Sequence, residues 1–264
     1  MKQSATLKRI LSMKRIEVAR AKKATPQGGV VETLASAPPT RAFREAILRR
    51  RPYEIHIIGE IKKASPSRGV IRARVDVAET AREFERAGVS ALSVLTDEKF
   101  FQGSLENLRL AKSASALPVM RKDFIVDEYQ LYQARLSGAD AVLLIVRLLP
   151  QRKLNAFVAL ARNLSLGALV EVHTAAELKR ALDAGADMIG VNTRDLSTFK
   201  TDFAVAVELR PKIPPGRAAI CESGIDSVRQ IDVLRSLRYD AVLIGEALMR
   251  SRRPAQLVHE LLHT

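Results

Sequence analysis

The sequence predicts an α/β fold, a (β/α)8 TIM barrel with an N-terminal helical extension. Eight short segments rich in Val, Ile and Leu show little alternation of apolar and polar residues, which is typical of strands covered on both faces. Helical patterns fill the gaps between them, and 264 residues suit one such barrel. The predicted strands are Glu54–Lys62, Ser90–Thr96, Pro118–Phe124, Asp140–Val146, Ala168–His173, Asp187–Asn192, Ala218–Glu222 and Asp240–Gly245.

The alternation of strands and helices restricts how the strands can be arranged. Right-handed crossovers make consecutive strands parallel, and eight such units in about 200 residues favour a closed barrel. An open doubly wound sheet is the structural alternative, although no Gly-x-Gly-x-x-Gly motif follows the first strand. We therefore expect a single domain, in which residues 54–264 form the barrel and residues 1–53 form a helical extension packed on it.

Local signals predict individual helices and loops. Apolar residues recur at helical spacing, for example Val77, Ala81, Phe84 and Ala87 in the barrel and Leu7, Ile10, Leu11 and Val18 in the extension. Gly88 stands where a left-handed C-cap is expected. Within the extension, loops are expected at Gln27–Gly29 and Ala37–Pro39. Thr40 is expected to cap a second short helix, Arg41–Arg50.

The formal net charge of +14 is partly concentrated in two places. Residues 1–23 are rich in Lys and Arg with Glu17 as their single acid, and Arg49–Arg51 forms a second cluster. Such a charge suits a nucleic-acid binder or an enzyme for anionic substrates, and the basic head also resembles an organelle transit peptide. Because no aromatic-rich ribonucleoprotein motif, zinc-finger spacing or basic zipper is present, we expect a small phosphorylated substrate and no nucleic acid.

Other features exclude further classes of protein. The longest apolar run in the second half, Ala141–Val146, is far short of a membrane span, and no secretory signal pattern stands near the start. Cys221 is the single cysteine, so an internal disulfide is excluded. The four histidines, His56, His173, His259 and His263, are dispersed. We therefore expect a cytoplasmic protein, a monomer or weak homo-oligomer, with no metal, no cofactor and no membrane contact.

Polar side chains stand where the predicted strands end. They are Glu60 and Lys62 on the first, Lys122 on the third, Glu171 on the fifth, Asn192 and Arg194 on the sixth, and Glu222 on the seventh. Barrel enzymes carry their chemistry at the C-terminal ends of the strands, so these groups are expected around one mouth. Opposite charges at close range tune acids and bases for proton transfer. They could equally satisfy one another as a structural ion-pair network.

Two glycine-containing turns favour a phosphate site. Ser223–Asp226 follows the seventh strand, and Ile244–Leu248 follows the eighth. Barrel enzymes often hold a phosphate between these two loops, on backbone N–H groups and the start of a short helix. The pair therefore predicts a phosphorylated substrate.

Several longer segments resemble those of one family. They are Pro38–Phe43, Ile57–Gly69, Leu95–Ser104, Pro118–Ile125, Val170–His173, Gly190–Leu196, Glu222–Ile225 and Ile244–Met249. On these segments, in order along the chain, the sequence resembles the indole-3-glycerol-phosphate synthases in their monofunctional form. The resemblance implies that the substrate is 1-(2-carboxyphenylamino)-1-deoxyribulose 5-phosphate, and that CO2 and water are released.

The resemblance also implies catalytic roles. Lys122 is implied to be the general acid that helps the substrate ketone accept attack from the aromatic ring. Lys62 is implied to contact the substrate carboxylate and to serve as an acid in the dehydration. Glu171 is implied to move protons in that step, while Glu60 sets the field around Lys62. The residues implied to orient the polar groups of the substrate are Asn192, Arg194 and Glu222.

Binding residues are implied in the same way. Substrate or phosphate contacts are implied for Ser65, Ser223, Gly224, Gly245 and Glu246. At Glu246 we expect the backbone N–H to matter, because a carboxylate side chain repels phosphate. An apolar wall for the anthranilate ring is implied for Pro66, Phe101 and Phe124.

Two other functions are open at this point. A phosphate-binding barrel such as a sugar-phosphate isomerase would explain the two glycine turns. It would not explain Glu60 and Lys62 on the first strand together with Lys122 and Glu171. A basic barrel that binds nucleic acid or acts as a scaffold would leave all of the charges at the strand ends unexplained.

Overall fold

The computed structural model describes residues 5–66, 68–195 and 198–263, so Ser67 and Leu196 of the segments quoted above lie outside it. Eight parallel strands close into a barrel in the order β1-β8-β7-β6-β5-β4-β3-β2, which confirms the predicted (β/α)8 fold. The strands are β1 His56–Ile61, β2 Ala91–Leu95, β3 Val119–Lys122, β4 Ala141–Ile145, β5 Gly167–Val172, β6 Met188–Asn192, β7 Ala218–Glu222 and β8 Ala241–Ile244. After β1, a two-residue hairpin pairs Ala64–Ser65 with Gly69–Val70.

Helices surround the barrel and cover both of its ends. They are α1 Ala5–Ala24, α2 Gln27–Glu32, α3 Phe43–Ile47, α4 Val77–Arg86, α5 Glu98–Phe101, α6 Leu105–Ala114, α7 Tyr129–Leu136, α8 Gln151–Asn163, α9 Ala175–Asp183, α10 Ala204–Leu209, α11 Val228–Ser236, α12 Glu246–Arg250 and α13 Pro254–His263. Short 3-10 turns occupy Thr33–Ser36, Val146–Leu148 and Arg210–Lys212. None of the helices described here is long and apolar enough to cross a membrane.

Alternate residues of each strand point to opposite faces, and this separates two apolar clusters. Outward-facing side chains such as Ile57 and Val170 pack against the helices. Inward-facing side chains such as Ile58, Met120 and Leu169 pack in the barrel centre. The charged residues at the strand ends continue the inward-facing phase, which is why they meet in one place.

Helix ends follow the local chemistry of the sequence. Asp76, Ser104 and Thr174 precede α4, α6 and α9, and each side chain accepts the backbone N–H of the third residue of its helix. At the other ends, Gly88 and Gly138 adopt φ of 88° and 83°, the left-handed conformation expected of a C-cap.

Two local predictions in the extension were wrong. The helix α3 begins at Phe43, not Arg41, and Thr40 does not cap it. The preceding chain is held extended because Asp140 accepts the backbone N–H of Arg41 at 2.6 Å and the Arg41 guanidinium binds main-chain carbonyls, Leu117 among them. The predicted loop Gln27–Gly29 instead starts α2, because tertiary contacts with α7 outweigh the helix-breaking effect of two glycines.

The first and third helices lie at opposite ends of the barrel. Leu7 and Ile10 of α1 are each 2% exposed and join the inner apolar cluster at the C-terminal mouth. Phe43 and Ile47 of α3 join the same cluster at the N-terminal end, where the carbonyl of Leu48 lies 3.1 Å from a ring nitrogen of His56 at the start of β1. Residues of the extension therefore line the mouth.

Candidate active site

The cavity at the C-terminal mouth has two connected lobes. The first, of about 880 Å³, is lined by Glu60, Lys62, Lys122 and Glu171 together with apolar side chains of the wall. The second, of about 1320 Å³, is lined by the loops after β7 and β8. Both lobes are lined by Arg194, Ser223 and Glu246, so they form one site.

The structure brings the predicted site residues together. The first lobe is lined by Glu60, Lys62, Ser65, Pro66, Phe101, Lys122, Phe124, Glu171, Asn192, Arg194, Ser223 and Glu246. The second lobe adds Gly224 and Gly245. The remaining predicted residue, Glu222, lies beneath the first lobe with no exposed side-chain surface and reaches it through Lys122.

Lys122 lies at the centre of the charged groups. Its Nζ is 2.5 Å from Glu222 Oε2 and 3.5 Å from Glu171 Oε2. Burial alone would lower the pKa of Lys122, but Glu222, Glu171 and Glu60 together hold that pKa above its ordinary value. Lys122 is therefore an ammonium donor aimed into the cavity.

The pKa values of two carboxyl groups near Lys122 are shifted in opposite directions. Glu60 lies 2.5 Å from Lys62 Nζ, and although burial raises its pKa, the charges of Lys62 and Lys122 hold that pKa below the usual range. For Glu222, burial and the charge of Glu171 raise the pKa above its usual range despite the contact with Lys122. The mouth thus places carboxyl groups with lowered and raised pKa values side by side, an arrangement that suits proton transfer.

Two glycines make room for these carboxylates. A Cβ on Gly190 of β6 would collide with the carboxylate of Glu222, and one on Gly245 after β8 would collide with Glu60 and with Lys62 Nζ. Gly245 was expected to serve phosphate through its backbone, and the structure shows that it also leaves space for the Glu60–Lys62 pair. Gly190 was missed, although a glycine inside an otherwise branched strand signals a close approach.

The second lobe is basic and has a strained turn. Ser223 and Gly224 both adopt positive φ, 71° and 66°. Three arginines surround the Glu246 carboxylate at 3.1 Å from Arg68, 3.7 Å from Arg194 and 3.6 Å from Arg250. The Glu246 side chain therefore faces guanidinium groups, an arrangement that the sequence did not predict.

Aromatic side chains form one wall of the first lobe. The rings of Phe101 and Phe124 are tilted by 46° with centroids 6.1 Å apart. Leu7 and Ile10 from α1 complete this wall, and neither was identified from the sequence as a site residue. A flat apolar ring fits against such a surface.

Arg147, which follows β4, lines neither lobe and pairs with Glu177 at 3.0 Å and Asp195 at 3.2 Å. In the described ranges, no cluster of three or more His, Cys, Asp or Glu side chains is arranged to hold a metal ion.

A closed barrel whose strand ends bring lysines, carboxylates and arginines into one cleft belongs to the class of (β/α)8-barrel enzymes for small anionic substrates. Within that class, the chain belongs to the indole-3-glycerol phosphate synthase family, whose family model matches residues 7–261.

Individual comparisons agree with this assignment. The chain is 46% identical over 252 residues to indole-3-glycerol phosphate synthase of Chlorobium chlorochromatii, covering 96% of this chain and 98% of that one. It is 45% identical over 259 residues to the protein of the same name from Koribacter versatilis, covering 98% and 99%. The structure of 3-hexulose-6-phosphate synthase from Salmonella typhimurium has the same fold, with a TM-score of 0.63, 14% identity and coverage of 78% and 96%.

Proposed function

We propose that this chain converts 1-(2-carboxyphenylamino)-1-deoxyribulose 5-phosphate into indole-3-glycerol phosphate, CO2 and water. The observation that carries the proposal is Lys122, a buried ammonium held between Glu222 and Glu171 where an apolar lobe meets a basic one. The substrate has matching parts, since its aromatic ring is apolar while its carboxylate and phosphate are anionic.

Ring closure comes first. The ring carbon that bears the carboxylate attacks the ketone carbon, and Lys122 donates a proton to the ketone oxygen as negative charge develops there. The carboxylate then leaves as CO2, and the electron pair of its bond to the ring restores aromaticity. Glu222, which shares a short contact with Lys122, holds that ammonium in place.

Dehydration completes the indole. The new hydroxyl leaves as water with a proton from Lys62, whose ammonium is held by Glu60. Glu171 removes a proton from the neighbouring carbon, and the C–H electron pair forms the ring double bond. Each of these three side chains lines the first lobe, so one bound substrate can meet all of them.

The remaining groups bind and orient the substrate. Phe101 and Phe124 are proposed to hold the anthranilate ring, with Pro66 at the edge of the same lobe. The substrate phosphate is proposed to lie in the second lobe near Ser223, Gly224, Gly245 and the N–H of Glu246. Asn192 lines the first lobe and Arg194 lines both, and they are proposed to bind polar groups of the ribulose chain.

The extension is proposed to act with the barrel as one unit, because Leu7 and Ile10 line the first lobe. We further propose that the enzyme is cytoplasmic and works as a monomer or weak homo-oligomer. Its binding partner is proposed to be a small phosphorylated molecule and not a nucleic acid.

The test is turnover of the anthranilate–ribulose phosphate followed by indole fluorescence. The chain has no tryptophan, so the background signal is low. We expect product with one CO2 released per turnover. A folded protein that produces neither indole nor CO2 would rule out the proposed activity.

A further inference from the structure

His173 lies beside Glu171, the carboxylate proposed to move protons in the dehydration. It follows β5, two residues after Glu171, so both side chains lie on the same face of the strand. Its side chain is 5% exposed and lines neither lobe of the cavity. The charged groups that surround the pair come from three elements and two loops: Lys122 on β3, Arg147 after β4, Glu177 on α9, Glu222 on β7 and, through Arg147, Asp195 after β6.

One ring nitrogen of His173 has a fixed role. Nδ1 lies 3.2 Å from Glu177 Oε2, and the same oxygen accepts the backbone N–H of His173 at 2.7 Å. Glu177 Oε1 accepts from Arg147 at 3.0 Å. Burial would raise the pKa of Glu177, but the hydrogen bond from His173 and the charge of Arg147 hold that pKa below its ordinary value. Because Glu177 is a carboxylate, Nδ1 carries a hydrogen and donates it.

The other ring nitrogen faces Glu171. Nε2 lies 3.5 Å from Glu171 Oε1, and both atoms are buried without a hydrogen-bond partner in the described part of the chain. A neutral imidazole with its hydrogen on Nδ1 would direct a lone pair at a carboxylate lone pair. Two buried acceptors facing each other are unfavourable, and a proton placed between them removes that cost.

We propose that His173 is an imidazolium in the resting enzyme and that its Nε2–H donates to Glu171 Oε1. His173 is thus a positioning residue that acts through Glu171 and does not touch substrate. It keeps Glu171 ionised beside Glu222, and it leaves Oε2, the oxygen that faces Lys122, as the one that takes a substrate proton. The proton on Nε2 stays on the imidazole throughout, so each proton that Glu171 takes from substrate is returned from Oε2.

The inference rests on the proposed function for its kinetic test, which is the pH dependence of kcat/KM. Glu171 must be ionised to accept a proton, so the acid limb of the profile reports its ionisation. In His173→Phe the carboxylate loses its hydrogen-bond donor and the neighbouring positive charge, and it holds a proton more readily. We expect the acid limb to move up by about one pH unit or more, kcat near pH 7 to fall roughly tenfold, and KM to change less than about threefold.

Two further variants separate this role from packing. His173→Gln retains a neutral donor and should shift the acid limb in the same direction by less. His56→Phe is the matched control, because His56 is a half-buried histidine at the opposite end of the barrel with both ring nitrogens near polar atoms. Its profile should keep the wild-type acid limb. An unchanged acid limb in both His173 variants would overturn the inference.

A measurement without turnover keeps the two proposals distinguishable. The chain has four histidines, so ¹⁵N resonances of His173 can be assigned by comparing wild type with His173→Phe. We expect both ring nitrogens of His173 to be protonated in the resting protein at pH 7. A neutral ring there would overturn the inference even if wild type makes indole. Absence of product in wild type would rule out the proposed function. The resonances would still test whether Nε2 of His173 carries a proton.

Discussion

Two buried charge clusters lie near the barrel mouth, and each combines basic side chains with carboxylates. The mouth cluster consists of Glu60, Lys62, Lys122, Glu171 and Glu222. The rim cluster joins α1 to the ends of β2 and β3 and consists of Lys14, Asp97, Arg121 and Asp123. Lys14 Nζ lies 2.8 Å from Asp123 and 3.0 Å from Asp97, and neither Lys14 nor Asp123 has exposed side-chain surface.

The two clusters differ in how fully their atoms are satisfied. In the rim cluster, Asp123 accepts from Lys14, Thr96 and Arg121, and its pKa is lowered to about 2 by Arg121 and Lys14 despite burial. In the mouth cluster, one oxygen each of Glu171 and Glu222 is buried without a partner among the described residues. Complete pairing stabilises a fold, whereas buried polar atoms without a hydrogen-bond partner beside a cavity are typical of a functional site. The sequence alone could not separate these two readings.

The largest expected effect is on catalysis in Lys122→Met. The substitution removes the proton donor and keeps most of the apolar volume, so kcat should fall by about 10²–10⁴-fold. The free energy of unfolding should change little, because the pKa of Glu222 is already raised and this carboxyl can take up a proton when its partner is lost. The measurement is indole formation under saturating substrate. Turnover near the wild-type rate in a folded variant would remove Lys122 from the mechanism.

The next effect is on stability in Lys14→Met. Two buried carboxylates lose their shared cation, so the free energy of unfolding should fall by about 3–5 kcal/mol. Among molecules that remain folded, kcat should stay within a few-fold of wild type. Urea unfolding measures the first quantity, with the exposed Lys8→Met on the same helix as control. Equal stability of the two variants would contradict a structural role for the rim cluster.

A smaller effect is expected for Gly245→Ala. The new methyl group collides with Glu60 and Lys62, so that pair must move within the mouth. We expect kcat to fall about 10–100-fold and KM to rise, because small misplacements of catalytic groups are costly. Steady-state kinetics provide the test, and Gly28→Ala, where a Cβ meets no atom within 4 Å, is the matched control. Kinetics unchanged from wild type would show that the mouth tolerates displacement of Glu60.

The smallest effect concerns acid stability. A carboxyl group whose pKa is lower in the folded protein than in the unfolded chain stabilises the fold at pH values above the unfolded pKa. That stabilisation is lost as the pH falls through the folded pKa. For Asp123 the window runs from about pH 4 down to about pH 2, and the contribution is about 2 kcal/mol. Asp123→Asn should therefore have a lower free energy of unfolding at neutral pH, and that free energy should change less with pH across the window. A curve parallel to wild type in a pH-dependent unfolding series would contradict this assignment.

The sequence predicted the mouth cluster better than the rim cluster for a physical reason. Residues two positions apart on a strand share a face. The side chains of Lys122 and Glu171 can therefore be predicted to point inward from their neighbours on the same strand. Lys14 lies on a helix rich in charge, where a lysine is ordinarily solvated. Its partners Asp97 and Asp123 come from loops more than 80 positions away, and no local pattern connects them.

Other differences have the same origin. The contact of Lys122 with Glu222 spans 100 positions, so both residues could be predicted from the sequence but their pairing could not. The role of Glu177 had a local signal, since Thr174-x-x-Glu177 is a helix-capping pattern, but its contact with His173 depends on how the chain enters α9. The start of α2 at Gln27 depends on packing against α7, which a pair of glycines does not reveal.

We assign the mouth cluster to catalysis and the rim cluster to the stability of the fold. The most direct measurement determines kcat and the free energy of unfolding for Lys122→Met and Lys14→Met on the same preparations. We expect Lys122→Met to lose activity and keep its free energy of unfolding, and Lys14→Met to lose free energy of unfolding and keep its activity. If Lys122→Met instead lost several kcal/mol of stability and its folded fraction turned over normally, the mouth cluster would be structural and the claim would be contradicted.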